Sequence, residues 1–318
     1  MQIRASCFIM SKNCVMKIIF CFLITLVLCI NAYSLPADTV MKKRDSVAKP
    51  IRTKVYRINY FVEGAIIAVG MTGDLFAIPR LKNKAVLTDD ELAFANTDQQ
   101  KNLIHTVDKW ALEQPIANRD LWKKVSDYGQ IGIFLLPSLL MIDKNIRKDW
   151  LRLLFMYVEG HTVTFTFYNY SPLGPWFQNR YRPAVYYPEL GAGTQKESGN
   201  RNSFYSGHVA SCTYSTFFMV KVYCDYHPEI RGWKYLLYLA ASVPPLFMGY
   251  ARIRSLDHFP SDDAVGFALG AIIGIVVPAL HKIPCSKYLS VTMATSPDVV
   301  GVGVTWRMDN KRLATSGR

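Results

Sequence analysis

Between positions 251 and 262 the chain reads ARIRSLDHFPSD, which sets an arginine, a histidine and a carboxylate between two apolar segments. Arg252 precedes His258 by six positions and Asp262 follows it by four. A helix beginning near Pro260 brings the carboxylate within reach of the imidazole. Such a trio offers a nucleophile, its orienting partner and an anion-binding cation. The same residues also suit a basic loop between two helices in which the histidine serves as a cap. Taken alone, they leave both readings open.

Two further stretches carry related chemistry. SFYSGH, residues 203–208, opens an apolar run, so His208 stands at a helix start with Ser206 and Gly207 just before it. Free backbone N–H groups and a serine hydroxyl at such a start can receive an anion, although an isolated SGH is more often an ordinary cap. Upstream, Arg180, Tyr181, Arg182 and Pro183 put two guanidinium groups in one loop. They can clamp a phosphoryl group in bidentate fashion, or simply face lipid headgroups.

The elements that must position these residues are apolar helices. Half of the 318 residues are hydrophobic and the net charge is +13. The apolar residues gather in long uncharged runs, as in a polytopic membrane protein. Segments 128–142, 150–170, 204–220, 233–250 and 264–280 read as spanning helices. The excess of positive charge points to anionic headgroups or anionic substrates, and no nucleic-acid motif is present. Seven cysteines form no CxxC pair and no zinc-spaced cluster, and no carboxylate cluster that would bind a metal is visible, so neither a metal nor a cofactor is expected.

Loops near Lys144, Arg147 and Lys148, and near Arg231 and Lys234, share one face, which the positive-inside rule assigns to the cytoplasm. The three motif stretches then lie on the exterior face. Residues 16–34 read as a signal peptide or an anchor, and 35–57 as a basic linker. If the signal exports the chain downstream of it, residues 60–79 do not cross the membrane. Thr88 and Glu91 mark a helix start, and the stretch to Asp127 reads as helical decoration outside the bilayer. The tail after residue 281 alternates between 288 and 308 and suggests a hairpin.

In the order R-x-R-P, SGH, R-x5-H-x3-D on one membrane face, the chain resembles the type 2 phosphatidic acid phosphatase (PAP2) superfamily. Its pattern is K-x6-R-P, then PSGH, then S-R-x5-H-x3-D. The resemblance covers residues 128–281 and implies an all-helical transmembrane bundle of about six helices with a haloperoxidase-like core. It implies that His258 attacks phosphorus to form a phosphohistidine, that Asp262 orients it, and that His208 protonates the leaving oxygen. Arg182, Arg252, Ser206 and Gly207 would bind the phosphoryl oxygens. No metal is implied.

The departures from that pattern are specific. Pro175 stands where the family lysine belongs, Tyr205 where proline is usual, and Ala251 where serine is usual. Arg180 is the candidate replacement for the lysine. Glu159 and His161 read as a pair satisfied inside the bundle, Asp257 and Asp263 as solvated neighbours, and His227 and His281 as loop residues. The expected activity is hydrolysis of a lipid phosphate or diphosphate at the outer face of a bacterial-type inner membrane, with membrane lipids as the other partners. The rival readings are an inactive lipid-binding protein with the same fold and a lipid phosphotransferase.

Overall fold

The computed structural model describes residues 54–230, 232–283, 289–296 and 299–306. The signal or anchor segment and most of the basic linker lie outside these residues. The chain divides into two units, and residues Lys54–Lys282 form the one that carries every motif residue. In the other unit, β1 (Leu289–Ser296) pairs antiparallel with β2 (Val299–Trp306), from Leu289 opposite Trp306 to Ser296 opposite Val299.

Six long helices build the main unit: α1 (Tyr60–Lys82), α2 (Arg119–Leu135), α3 (Trp150–Tyr170), α4 (Gly207–Tyr226), α5 (Lys234–Arg254) and α6 (Pro260–His281). Four spans, Tyr60–Lys82, Arg119–Ile142, Lys234–Arg254 and Pro260–His281, are long and apolar enough to cross a membrane. Their outward faces carry large apolar side chains such as Leu75, Phe76, Leu239, Val243 and Ile272, all exposed. Such a surface suits contact with lipid. The fold class is the helical transmembrane bundle expected from the sequence.

α3 and α4 are less apolar because they lie inside. Threonines and serines of α3 and α4, among them Thr164, Ser211 and Thr213, are buried and bond back to carbonyls of their own helices. Those bonds satisfy hydroxyls that lipid could not.

The closest approach in the bundle is between α4 and α6. Gly266, Gly270 and Gly274 repeat every four residues and so share one face of α6. A Cβ at Gly266 would lie 2.4 Å from Ser206 O, and one at Gly270 would lie 2.2 Å from Ala210 O. Only the missing side chains let the two backbones touch. Gly160 of α3 does the same for Tyr214 of α4, where a Cβ would meet the phenol oxygen at 2.1 Å.

Three differences from the sequence reading bear on the site. α1 runs the length of the bundle: Arg57 N bonds His281 O at one end, while Leu81 O accepts Asn202 Nδ2 at the other. Residues 60–79 therefore belong to a span, because Glu63 is buried against α6 instead of ending the apolar run. α2 starts at Arg119, nine residues before 128, so Ser126 and Asp127 belong to the bundle. α5 continues to Arg254, which moves Arg252 from the loop into its last turn.

The stretch between α1 and α2 caps the end where the motifs meet. Thr88 and Glu91 form a capping box at the start of Asp89–Ala95. Leu87 and Ala95 pack on Val185, and Ala111 packs on Ile253 and Phe259.

The glycine contact yields a direct prediction. Gly270→Ala should lower the melting temperature in detergent, since overpacking a tight contact costs about 1–3 kcal/mol. Gly132→Ala in α2, where a Cβ meets nothing within 4 Å, should not. Equal melting temperatures for the two variants would contradict the close approach of α4 and α6.

Candidate active site

The turn between α5 and α6 sets the geometry. α5 ends in a Schellman arrangement: Leu256 N bonds Ile253 O at 3.0 Å and Asp257 N bonds Arg252 O at 3.0 Å. The position that usually takes glycine holds Leu256 with φ of 60°. That backbone is unfavourable for leucine, and its buried side chain, packed with Ala184 and Tyr187, holds it there. The turn aims Asp257 and His258 inward, and both are buried.

His258 directs Nδ1 at the carbonyl of Ser203, 2.7 Å away. A carbonyl only accepts, so Nδ1 carries the proton and Nε2 of the neutral ring keeps its lone pair. Asp262 Oδ2 is farther from Nδ1, at 3.8 Å. It accepts instead from Ser203 Oγ at 2.6 Å and from Phe259 N at 2.8 Å. Ser203 thus joins the two, with its carbonyl on the histidine and its hydroxyl on the carboxylate. Burial lowers the His258 imidazole below its ordinary pKa, against the opposing pull of Asp262.

Arg180, expected as the substitute cation, is held by carboxylates. Its Nη1 donates to Asp262 Oδ1 at 2.5 Å and to Ser261 Oγ at 2.7 Å, and its Nη2 donates to Asp108 Oδ2 at 2.7 Å. The guanidinium also lies 4.5 Å over the Phe259 ring. Its geometry braces the start of α6, because both terminal nitrogens face carboxylate oxygens.

The other two arginines meet at one carboxylate. Arg182 Nη1 donates to Asp257 Oδ1 at 2.5 Å, and Arg252 Nη2 lies 3.1 Å from Asp257 Oδ2. Ser255 Oγ adds a bond to Oδ2 at 2.7 Å. Asp257 is therefore a buried bridge and not a solvated neighbour. Burial alone would raise its carboxyl, but Arg252 and then Arg182 hold it well below the usual carboxylate range. Arg182 Nε and Arg252 Nε are buried and have no hydrogen-bond partner among the described residues.

Ser206 caps α4, and its backbone N bonds Asp262 O at 3.1 Å, which joins the SGH stretch to the start of α6. A Cβ at Gly207 would lie 3.1 Å from the Tyr168 ring. His208 opens α4 with Nε2 3.4 Å from Asp127 Oδ1. Asp127 is also 3.6 Å from Arg252 Nη1, which bonds Ser126 Oγ at 3.1 Å. His258, Asp262, Arg182 and Arg252 are thus joined through Ser203 and Asp257, while His208 connects through Asp127.

Sequence reasoning missed Asp108, Ser126 and Asp127, gave Ser203 no role beyond opening SFYSGH, and read Asp257 as solvated. Asp257 and Ser203 had a signal, since both lie within the motif stretches. Lys84 was missed as well. Its Nζ donates to Pro175 O, to Gln178 O at 2.8 Å and to Asn179 Oδ1 at 3.0 Å. It fastens the loop that carries Arg180 and Arg182, at the position where the family lysine is absent. Burial, helped by Arg201, brings Lys84 down to about 8.

At the opposite end of the bundle, Glu63, Glu159 and His281 form a group able to hold a metal ion. His281 is buried in the last turn of α6 and is no loop residue. Glu159 Oε2 lies 3.2 Å from its Nε2, while His161 turns to Ser215 Oγ at 3.2 Å among aromatic rings.

Comparison with known proteins agrees with the motif order. Residues 150–283 match the PAP2 superfamily. The matched segment runs from α3 through α6 and holds each motif residue from Arg180 to Asp262. Among solved structures, the chain is similar to the first transmembrane PAP2 type phosphatidylglycerolphosphate phosphatase from Bacillus subtilis. The two are 16% identical with a TM-score of 0.39, over 67% of this chain and 94% of that one. No curated protein matches the chain.

Asp257→Asn should test the bridge. Leaving a buried pair without its partner costs about 3–5 kcal/mol, so the melting temperature should fall. A carboxylate held low in the folded state stabilises above its unfolded pKa of about 4 and loses that contribution as pH falls further. Wild type should therefore lose stability below about pH 4 more steeply than the variant. Parallel acid-unfolding curves would remove Asp257 from this role.

Proposed function

We propose that this protein is a membrane-embedded phosphatase that removes phosphate from an amphiphilic phosphate or diphosphate through a phosphohistidine at His258. The observation that carries the reading is the pair of arginines fixed on Asp257 beside a histidine whose Nδ1 is already bonded. Asp257 and its neighbours occupy one terminal nitrogen of Arg182 and both of Arg252, and two buried Nε groups are left to donate. A phosphoryl group accepts from such donors, and charge that grows in the transition state strengthens those bonds.

In this reading Nε2 of His258 attacks phosphorus as the bond to the leaving oxygen breaks. His208 gives that oxygen its proton and then takes one from the water that cleaves the phosphohistidine. Asp127 holds His208, and Ser203 keeps His258 in the tautomer that can attack. Phosphatidate, phosphatidylglycerol phosphate, a polyprenyl diphosphate and lipid A are all candidates, because the site addresses only the head group.

We further propose that the site end faces the exterior. Lys144, Arg147, Lys148 and Lys234 lie at the opposite end, and the chain enters α1 there after Lys42, Lys43, Arg44, Lys49, Arg52, Lys54 and Arg57. Several site-end cations are instead paired with carboxylates. The positive-inside rule then puts this end of the bundle, with Lys54 and Arg57, in the cytoplasm.

Purified protein should release phosphate from at least one member of a lipid-phosphate panel and form an acid-labile, alkali-stable phosphoenzyme. His258→Ala should abolish both, and His208→Ala should slow turnover by about 10²–10⁴-fold, as loss of a general acid does. Turnover that survives His258→Ala would end the phosphohistidine reading. Transfer to an added alcohol in place of water would favour a phosphotransferase.

Orientation is tested by labelling intact cells with an impermeant thiol reagent. In a background without other accessible thiols, Glu189→Cys at the site end should react and Lys148→Cys should not. The reverse pattern would place the site in the cytoplasm.

A further inference from the structure

We propose that Glu63, Glu159 and His281 bind a divalent transition-metal ion, zinc by their donor set, at the end of the bundle opposite His258. The three come from α1, α3 and α6, and all are at least nine-tenths buried. One ligand atom from each lies within 4.8 Å of the other two. His281 Nε2 is 3.3 Å from Glu63 Oε1 and 3.2 Å from Glu159 Oε2. Zinc bonds of about 2.0–2.1 Å in tetrahedral geometry set ligands about 3.3–3.4 Å apart. The observed separations are already those of a coordination edge.

The histidine is prepared for that role. His281 Nδ1 donates to Val277 O, 2.8 Å away and one turn back in α6. This bond holds a proton on Nδ1 and aims Nε2 at two carboxylates, the orientation in which a metal would take the Nε2 lone pair in place of a proton. Three electron-rich groups face each other there, and Glu159 Oε2 is buried with no hydrogen-bond partner among the described residues. A divalent ion with two carboxylates and a neutral imidazole is electroneutral, which low-dielectric surroundings demand. Calcium would need six to eight oxygens and magnesium an octahedral shell rich in water, which a buried group with one nitrogen does not supply.

The ion would fasten α1 to α3 and α6. The site stands apart from the proposed phosphatase chemistry, so its test uses no activity measurement. Full-length protein, purified in detergent without a histidine tag, is equilibrated with zinc chloride and desalted, and its metal content is measured. The expected result is about one zinc per chain, with nitrogen and oxygen ligands and no sulfur in X-ray absorption. Zinc should also raise the melting temperature of wild type, as a ligand that binds only the folded state does.

Glu159→Gln should weaken zinc binding by at least about tenfold, and Glu63→Gln provides the same reading if the first variant does not fold. Monodisperse wild type that retains no zinc would show that the group holds only a proton and would overturn the proposal. So would zinc retained equally by both variants, or a sulfur shell.

Discussion

The backbone contact between α4 and α6 is the constraint on which the rest of the site depends. Gly266, Gly270 and Gly274 leave no side chain between the helices, so the carbonyls of Ser206 and Ala210 sit where Cβ atoms would be. In a bilayer, burial of apolar surface gives little drive for helices to associate, and close van der Waals contact supplies it. The contact also sets register. It places Ser206 N on Asp262 O, which brings the start of α4 to the start of α6 and lets the Ser203 carbonyl reach His258. A one-residue slip would put side chains into the seam and separate the two motifs.

Two buried carboxylates divide the three arginines between them. Asp262 takes Arg180, with Asp108 on the far side of the same guanidinium. Asp257 takes Arg182 and Arg252. The difference is one of geometry. Arg180 has carboxylate oxygens 2.5 and 2.7 Å from its two terminal nitrogens and stiffens the scaffold, whereas each of the other two retains a buried Nε donor without a partner among the described residues. A lone buried cation would be costly, and a fully paired one would be inert toward an anion. Arg182 and Arg252, sharing one carboxylate, lie between these limits.

The positions and types of the motif residues were legible in one dimension because spacing reports helix faces. Arg252, His258 and Asp262, with SFYSGH and Arg182 upstream, resemble the pattern of a family whose model matches residues 150–283. Long apolar runs likewise announced a transmembrane bundle, since lipid demands them of any outward-facing helix. The same logic failed for α1. Glu63 shortens its apolar run on paper, but inside the bundle it is buried against His281, so it does not interrupt the span.

The sequence by itself determined the chemistry on offer: which side chains can attack, donate protons and bind anions, and the helices that carry them. Tertiary structure decided who pairs with whom. It set Arg180 between Asp262 and Asp108, made Asp257 a bridge, and supplied Lys84 from 91 residues away to hold the loop at Pro175. It also gathered Glu63, Glu159 and His281 from three helices. Local spacing fixes neighbours only within an element. Contacts between elements depend on packing, which here turns on three glycines that hold no chemistry of their own.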